Sequence, residues 1–281
     1  MNSSIFQKSH VAVISGGADG VGLAAAKKFA SMGMRIGIID LNGEKISEAL
    51  KELPESTLPF IVDVGDMQSL EKVKAEIVGR FGRIDVLMNN AGISYPTKSW
   101  GNFDNWQSII NTNFWGVVNS IHVFLPQLIS QDHASLVVNT GSKQGITTPP
   151  GNPAYNASKA AVKVITEALE YQLRELSFEG GSRDKNNRIS SHLLIPGFTY
   201  TGMVSSPQKP RSAWTPDQVI DFMLERIEQG DFYILCPDND VTREMDNKRI
   251  AWAVGDIIED RPPLSRWHPD YADTFKKYMD S

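Results

Sequence analysis

The feature that most constrains this chain is an alternation. Short runs rich in β-branched and aliphatic residues lie at 11–15 (VAVIS), 34–40 (MRIGIID), 58–64 (LPFIVDV), 84–90 (IDVLMNN), 135–140 (SLVVNT), 189–195 (ISSHLLI) and 232–236 (FYILC). Longer stretches with helical periodicity separate them. Continuous apolar runs of this length suit strands covered on both faces, as in parallel sheets. Strand–helix–strand repeats close as right-handed crossovers, so the pattern predicts an α/β fold with a doubly wound, seven-stranded parallel sheet. Helices are expected at 21–32, 43–51, 67–81 and 153–176. A further long helix carries Trp106, Ile110, Phe114, Val117, Ile121, Phe124 and Leu128 on one face. Thr215-Pro216-Asp217-Gln218 reads as an N-cap, a proline at the first helical position and a capping-box glutamine. No repeat or linker interrupts the series, so one catalytic domain is expected over 1–236, with a C-terminal extension over 237–281.

Two segments exceed the minimal pattern. The polar stretch 179–188 (EGGSRDKNNR) reads as an exposed insertion. The extension predicts a helix over 241–259 with Ile250, Val254, Ile257 and Ile258 on one face, and then Tyr271, Phe275 and Tyr278 at helical spacing. It is expected to pack on the subunit surface, to close a substrate pocket or to join a neighbouring subunit.

Composition excludes several roles. Net charge is −5 with no basic stripe, which argues against a nucleic-acid partner. The single cysteine, Cys236, permits no intrachain disulfide, and five scattered histidines give no metal-ligand spacing, so no metal is expected. No apolar run reaches the ~18 residues of a membrane span. The opening MNSSIFQKSH lacks a cationic region followed by an apolar core, so no secretory signal is expected and the cytoplasm is the default location.

The first strand runs into SGGADGVG (15–22), which opens an alanine-rich helix. In that setting backbone N–H groups and the helix N-terminus meet a pyrophosphate. Asp40 ends the second strand, where a carboxylate can accept hydrogen bonds from the adenosine ribose. The spacing Gly16, Gly20, Gly22, preceded by Ser15, resembles the TGxxxGxG pattern of the short-chain dehydrogenase/reductase family, with serine replacing threonine. Other motifs follow in that family's order over about residues 10 to 236: Asn89-Asn90-Ala91-Gly92 after the fourth strand, Asp63-Val64, and Pro196-Gly197 with Thr201. The resemblance implies a Rossmann-type fold and a nicotinamide dinucleotide held by Gly16, Asp19, Gly20, Val21, Gly22, Asp40, Leu41, Asp63, Val64, Asn90, Ala91, Gly92, Tyr155, Lys159, Pro196, Gly197, Thr199 and Thr201. Family members that use NADP often carry Arg or Lys before the middle glycine or after the second strand. Here those places hold Asp19, Leu41 and Asn42. A 2′-phosphate ~4 Å from a carboxylate costs about 4 kcal/mol at an effective dielectric near 20. NAD is therefore expected and NADP disfavoured, chiefly by Asp40. The Asp19 side chain is expected to point outward.

Tyr155 and Lys159 form YxxxK at i, i+4 on one helix face. Ser142 lies just past the fifth strand, and Asn113 lies in the long central helix. The resemblance implies a tetrad of these four. Tyr155 is the expected acid/base. Its phenol must ionise well below its ordinary value near 10, and Lys159 together with a positive nicotinamide favours that. Ser142 is expected to donate to the substrate oxygen, and Asn113 to hold a relay water linking Lys159 to solvent. Ser94, Ser142, Gln144, Phe198 and Met203 are the expected substrate contacts, and the long segment 198–214 suits a bulky, partly apolar secondary alcohol or ketone. Ala157, Ala161, Val164, Ile165 and Ala168, broadened by Ala160 and Leu169, make the Tyr155 helix apolar over a wide arc, predicting burial on more than one side and a homodimer or homotetramer. Two rivals remain: a non-catalytic NAD(H)-binding regulator on the same fold, disfavoured by the complete tetrad, and an extended epimerase, disfavoured by the glycine spacing.

Overall fold

Val11 and Val13 pack into one apolar core while Ala12 and Ile14, between them in sequence, pack into another. The same two-residue alternation recurs where Leu87 and Val137 face one core and Val86, Met88, Leu136 and Val138 face the other. A sheet apolar on both faces must be covered on both, and the architecture follows. The computed structural model describes residues 5–176, 189–204 and 206–281. Its strands are β1 (Val11–Ser15), β2 (Arg35–Asp40), β3 (Leu58–Ile61), β4 (Val86–Asn89), β5 (Ser135–Thr140), β6 (Ile189–Ile195) and β7 (Tyr233–Leu235). They form one parallel sheet of seven strands in the order β3-β2-β1-β4-β5-β6-β7. The expected seven-stranded, doubly wound sheet is what is found. The stretch 179–188 lies outside the described residues.

The helices are α1 (Gly20–Ser31), α2 (Gly43–Ala49), α3 (Met67–Phe81), α4 (Phe103–Ile110), α5 (Gly116–Ser130), the single turn α6 (Gln144–Thr147), α7 (Pro153–Leu176), α8 (Pro216–Gln229), α9 (Arg243–Ile258) and α10 (Ala272–Asp280). Ala24, Ala25 and Ala26 are buried on α1, which lets that helix lie close on the sheet. The capping box at Thr215 and Gln218 forms as expected.

Two helical expectations are corrected. The long central helix is not continuous, because a wide π-helical turn over Asn111–Trp115 separates α4 from α5. Downstream of it Val117, Ile121, Phe124 and Leu128 are buried as the stripe requires, whereas Trp106, Ile110 and Phe114 are only partly covered. The Tyr155 helix, α7, buries Ala154, Ser158, Val162, Thr166, Leu169 and Leu173. Its alanine face, with Ala157, Val164 and Ala168, is exposed in the single chain. On α9, Val254, Ile257 and Ile258 are exposed, and the buried side is set by Asp246, Trp252 and Gly255. An aromatic outweighs the aliphatics there. Trp252 packs edge-to-face on Phe275 and at a tilt on Tyr278 of α10, lies 4.0 Å under the Arg261 guanidinium, and donates to Ser265 Oγ at 2.7 Å.

Candidate active site

The sheet register brings Ser15 beside Asn89, and Asn89 beside Asn139, at the carboxyl ends of β1, β4 and β5. Chain order reverses between β1 and β4, the place where open α/β sheets bind ligands. Ser15 Oγ accepts the N–H groups of Asn90 and Ala91 at 3.1 and 3.2 Å, and Asn90 Nδ2 donates to Gly16 O at 3.3 Å. The glycine loop and the NNAG segment are thus one interlocked unit. Below it, Asn89 Nδ2 donates to Asn139 Oδ1 (2.7 Å), Asn139 Nδ2 to Thr166 Oγ1 (3.0 Å), and Thr166 Oγ1 to Val162 O (2.6 Å). This buried polar chain ties β4 and β5 to α7. Asn139 and Thr166 were not foreseen as supports. Asn139 looks like an ordinary strand residue, and only its adjacency to the NNAG segment could have marked it.

The glycines are required by backbone geometry. Gly16 and Gly20 have φ of +63° and +53°. A Cβ at Gly22 would lie 2.0 Å from Gly16 O, and one at Gly16 would lie 2.8 Å from Ala91 Cα. Where the chain is this close to itself, no glycine side chain stands between the loop backbone and a ligand, and the cradle at the start of α1 fits a pyrophosphate. Asp40, at the end of β2, accepts from Asn42 N (3.1 Å) and faces Ala18 N (3.4 Å). Asp19 caps α1 by accepting from Gly20 N at 2.7 Å, and its other oxygen meets Lys45 Nζ at 2.6 Å. Its carboxylate is therefore shared between a cradle N–H and a cation rather than directed into solvent alone. Lys45 was missed because it lies beyond the positions usually compared for cofactor choice.

The remaining expected cofactor positions are distributed as follows. Asp63 Oδ1 accepts from Gly65 N, while Val64 is buried against Gly116 and held by Asn119 Nδ2 donating to Val64 O at 3.1 Å. Leu41 is exposed. Thr199 Oγ1 donates to Gly197 O at 3.1 Å. Thr201 sits over the glycine loop, its Cγ2 being 3.0 Å from where a Gly20 Cβ would stand, so the segment after β6 reaches back across α1. Pro196 and Gly197 follow β6 directly.

The tetrad converges. A Cβ on Gly92 would be 3.5 Å from Asn113 Oδ1, 3.6 Å from Lys159 Nζ and 3.8 Å from Met203 Cε. Lys159 is buried, donates to Thr140 O at 2.8 Å, and lies 5.8 Å from the Tyr155 ring centre. Burial brings its ammonium down to about 8. Burial pushes the Tyr155 phenol up, and a hydrogen bond from Ser142 draws it partly back. In the chain alone, desolvation outweighs that hydrogen bond. Asn113, in the π-helical turn, accepts from Ile93 N (2.8 Å) and donates to Ile93 O (3.0 Å) and Ser158 Oγ (3.1 Å). Both its amide hydrogens are committed, so the side chain is a brace, leaving only residual acceptor capacity for the expected relay water.

Among the expected substrate contacts, Ser142 reaches Tyr155 and Met203 reaches the Lys159 environment. Phe198 and Met203 are half exposed and Gln144 is exposed. Ser94 Oγ accepts from Asn152 Nδ2 at 3.0 Å, on the rim.

Comparison with known proteins matches this geometry. A sequence model described as short chain dehydrogenase covers residues 10–211. The chain is 33% identical over 226 residues to the 3-oxoacyl-[acyl-carrier-protein] reductase FabG of Thermotoga maritima, spanning 79% of this chain and 84% of that one. It is 30% identical over 268 residues to the CLA biosynthesis dehydrogenase/reductase of Lactiplantibacillus plantarum, spanning 94% and 90%. Its fold superposes with a TM-score of 0.79 on a short chain dehydrogenase/reductase from Burkholderia phymatum solved in complex with NAD, at 26% identity over 92% of this chain and 97% of that one. With the glycine cradle, the interlocked NNAG turn and the Ser–Tyr–Lys cluster beyond the carboxyl ends of the strands, this chain belongs to the short-chain dehydrogenase/reductase family of oxidoreductases.

Proposed function

We propose that the chain interconverts a secondary alcohol and a ketone with NAD as cofactor, Tyr155 carrying the proton. The observation that carries this reading is the contact of Ser142 with the Tyr155 phenol beside a buried Lys159. When bound, a nicotinamide gives or takes the hydride and, oxidised, brings a positive charge. Tyr155 manages the proton: it takes the hydroxyl proton during oxidation and returns it to the carbonyl oxygen during reduction. Ser142 donates to the same oxygen and steadies its developing charge. Lys159, poised at about 8, favours the phenolate while charged and can pass a proton onward.

The NAD preference rests on Asp40, because Lys45 neutralises Asp19. The half-exposed Phe198 and Met203 support a bulky, partly apolar substrate. The exposed alanine face of α7, together with exposed Phe103 and Trp115 beside the π-helical turn, supports assembly as a homodimer or homotetramer; light scattering that gave a monomeric mass would contradict it.

The test is a panel of secondary alcohols with NAD and NADP and of ketones with the reduced forms, followed at the nicotinamide absorbance. The expected result is turnover with NAD(H), abolished in Tyr155→Phe while NADH still binds. Undiminished turnover in Tyr155→Phe would remove that residue from the reaction.

A further inference from the structure

Immediately after Ser142 stands a lysine that plays no part in the proposed chemistry. Lys143 Nζ lies 2.6 Å from Asp246 Oδ2 on α9 and 3.6 Å from Asp238 Oδ2 in the turn after β7. The three side chains are largely buried, at 18% exposure for the lysine and 6% for each aspartate. Burying charges so completely is costly unless they are paired, and removing one partner strands the others. The Asp238 carboxylate also holds backbone. Asp238 Oδ2 accepts from Phe198 N at 3.2 Å, and Asp238 Oδ1 accepts from Asp240 N and Val241 N. The neighbouring Asn239 donates from Nδ2 to Arg211 O and Ala213 O, and from its backbone to Ser212 O. Gly197 completes the packing: a Cβ there would meet Pro237 O at 2.8 Å and both Asp238 Oδ2 and Lys143 Nζ at 3.0 Å.

On the other side, the Lys143 backbone carries the turn that presents Ser142. Its carbonyl accepts from Ile146 N and Thr147 N, and Ser142 O accepts from Gly145 N. Gln144 N donates to Ser142 Oγ at 3.2 Å. The Lys143 ammonium therefore joins the Ser142 turn to the C-terminal extension, and through Asp238 and its neighbour Asn239 the turn after β6 and the returning end of segment 198–214 are held to the same point.

We infer that Lys143 is a positioning residue, clamped by Asp246 and Asp238, through which the C-terminal extension fixes the Ser142 turn and the substrate-side wall. The extension is thus part of the active-site scaffold. The inference rests on the proposed role of Ser142, and its test separates the two. Hydrogen–deuterium exchange over 142–147 and 197–201 reads the clamp whether or not a substrate is known. Steady-state kinetics with a panel substrate read its catalytic consequence. In Lys143→Met, exchange over both segments should rise roughly tenfold or more as local opening becomes easier. Misplacing a catalytic group by ~1 Å costs about 100-fold, so kcat should fall about 10- to 100-fold while NADH affinity stays within about threefold. Lys143→Arg should restore both readouts. Should Lys143→Met fail to fold, Asp246→Asn is read identically, as it keeps the shape and removes the charge. Unchanged exchange over 142–147 in a folded variant, or unchanged kcat, overturns the inference. If the wild-type chain turns over no alcohol or ketone, the proposed function falls and the exchange result still decides the clamp.

Discussion

The two walls of the cleft are held together by different means. On the β1–β4 side, order comes from backbone: glycines at positive φ, a Gly22 with no room for a methyl group, and Ser15 satisfying two consecutive N–H groups of the NNAG turn. On the β5–β7 side, order comes from long side chains: Lys143 between two aspartates, and Trp252 between α10 and Arg261. A backbone solution tolerates almost no substitution and leaves a rigid residue pattern. A side-chain solution can be built from many residue pairs at many separations. The first wall suits a ligand that does not vary, the second a substrate that does.

Four measurements sharpen or break that contrast. The largest effect belongs to Gly22→Ala, whose methyl would fall 2.0 Å from Gly16 O. NADH affinity by fluorescence titration should drop about 1000-fold, some 4 kcal/mol. Affinity within tenfold of wild type would show that the cradle is more pliable than its geometry implies. Trp252→Ala should cost about 3–5 kcal/mol in denaturant unfolding while leaving NADH affinity nearly intact, because the cavity opens in the extension alone. Parallel loss of cofactor binding would mean that the two walls are not separate.

Third is Lys159, at the seam between them. Its folded value near 8 lies below the unfolded one near 10.5, so between these limits the unfolded chain binds more protons. The burden on stability is complete below pH 8 and lifts as pH rises to about 10.5. Relative to Lys159→Met, the wild type should gain on the order of 3 kcal/mol across that window. A flat difference would mean that the ammonium is not desolvated. The smallest effect is expected for Lys45→Met. Its pair with Asp19 is half exposed, and such pairs contribute ~0–1 kcal/mol, so unfolding and NADH binding should scarcely move.

The same contrast explains what the sequence disclosed. All seven strands were legible, β1, β5 and β6 to the residue, because strands covered on both faces leave unbroken apolar runs. The glycine cradle and the Ser–Tyr–Lys cluster were legible for a related reason: conformation and chemistry restrict both to few residue types. Lys143, Asp238 and Asp246 were not, since nothing in their spacing separates a buried clamp from surface charges. The aliphatic residues of α9 misled, because periodicity identifies an apolar face without saying whether this chain covers it.

The wide turn at Asn111–Trp115 can be regarded as one surplus residue that the helix has absorbed. Each residue advances an α-helix by about 100°. Deleting one there would relax the coil to ordinary pitch while swinging everything on one side of it by that angle. Asn113 could then no longer meet Ile93 and Ser158 together, while the core downstream kept its facing. Shortening this segment would spare the helix and forfeit the brace, so the contacts of Asn113 depend on chain length at this point as much as on residue identity.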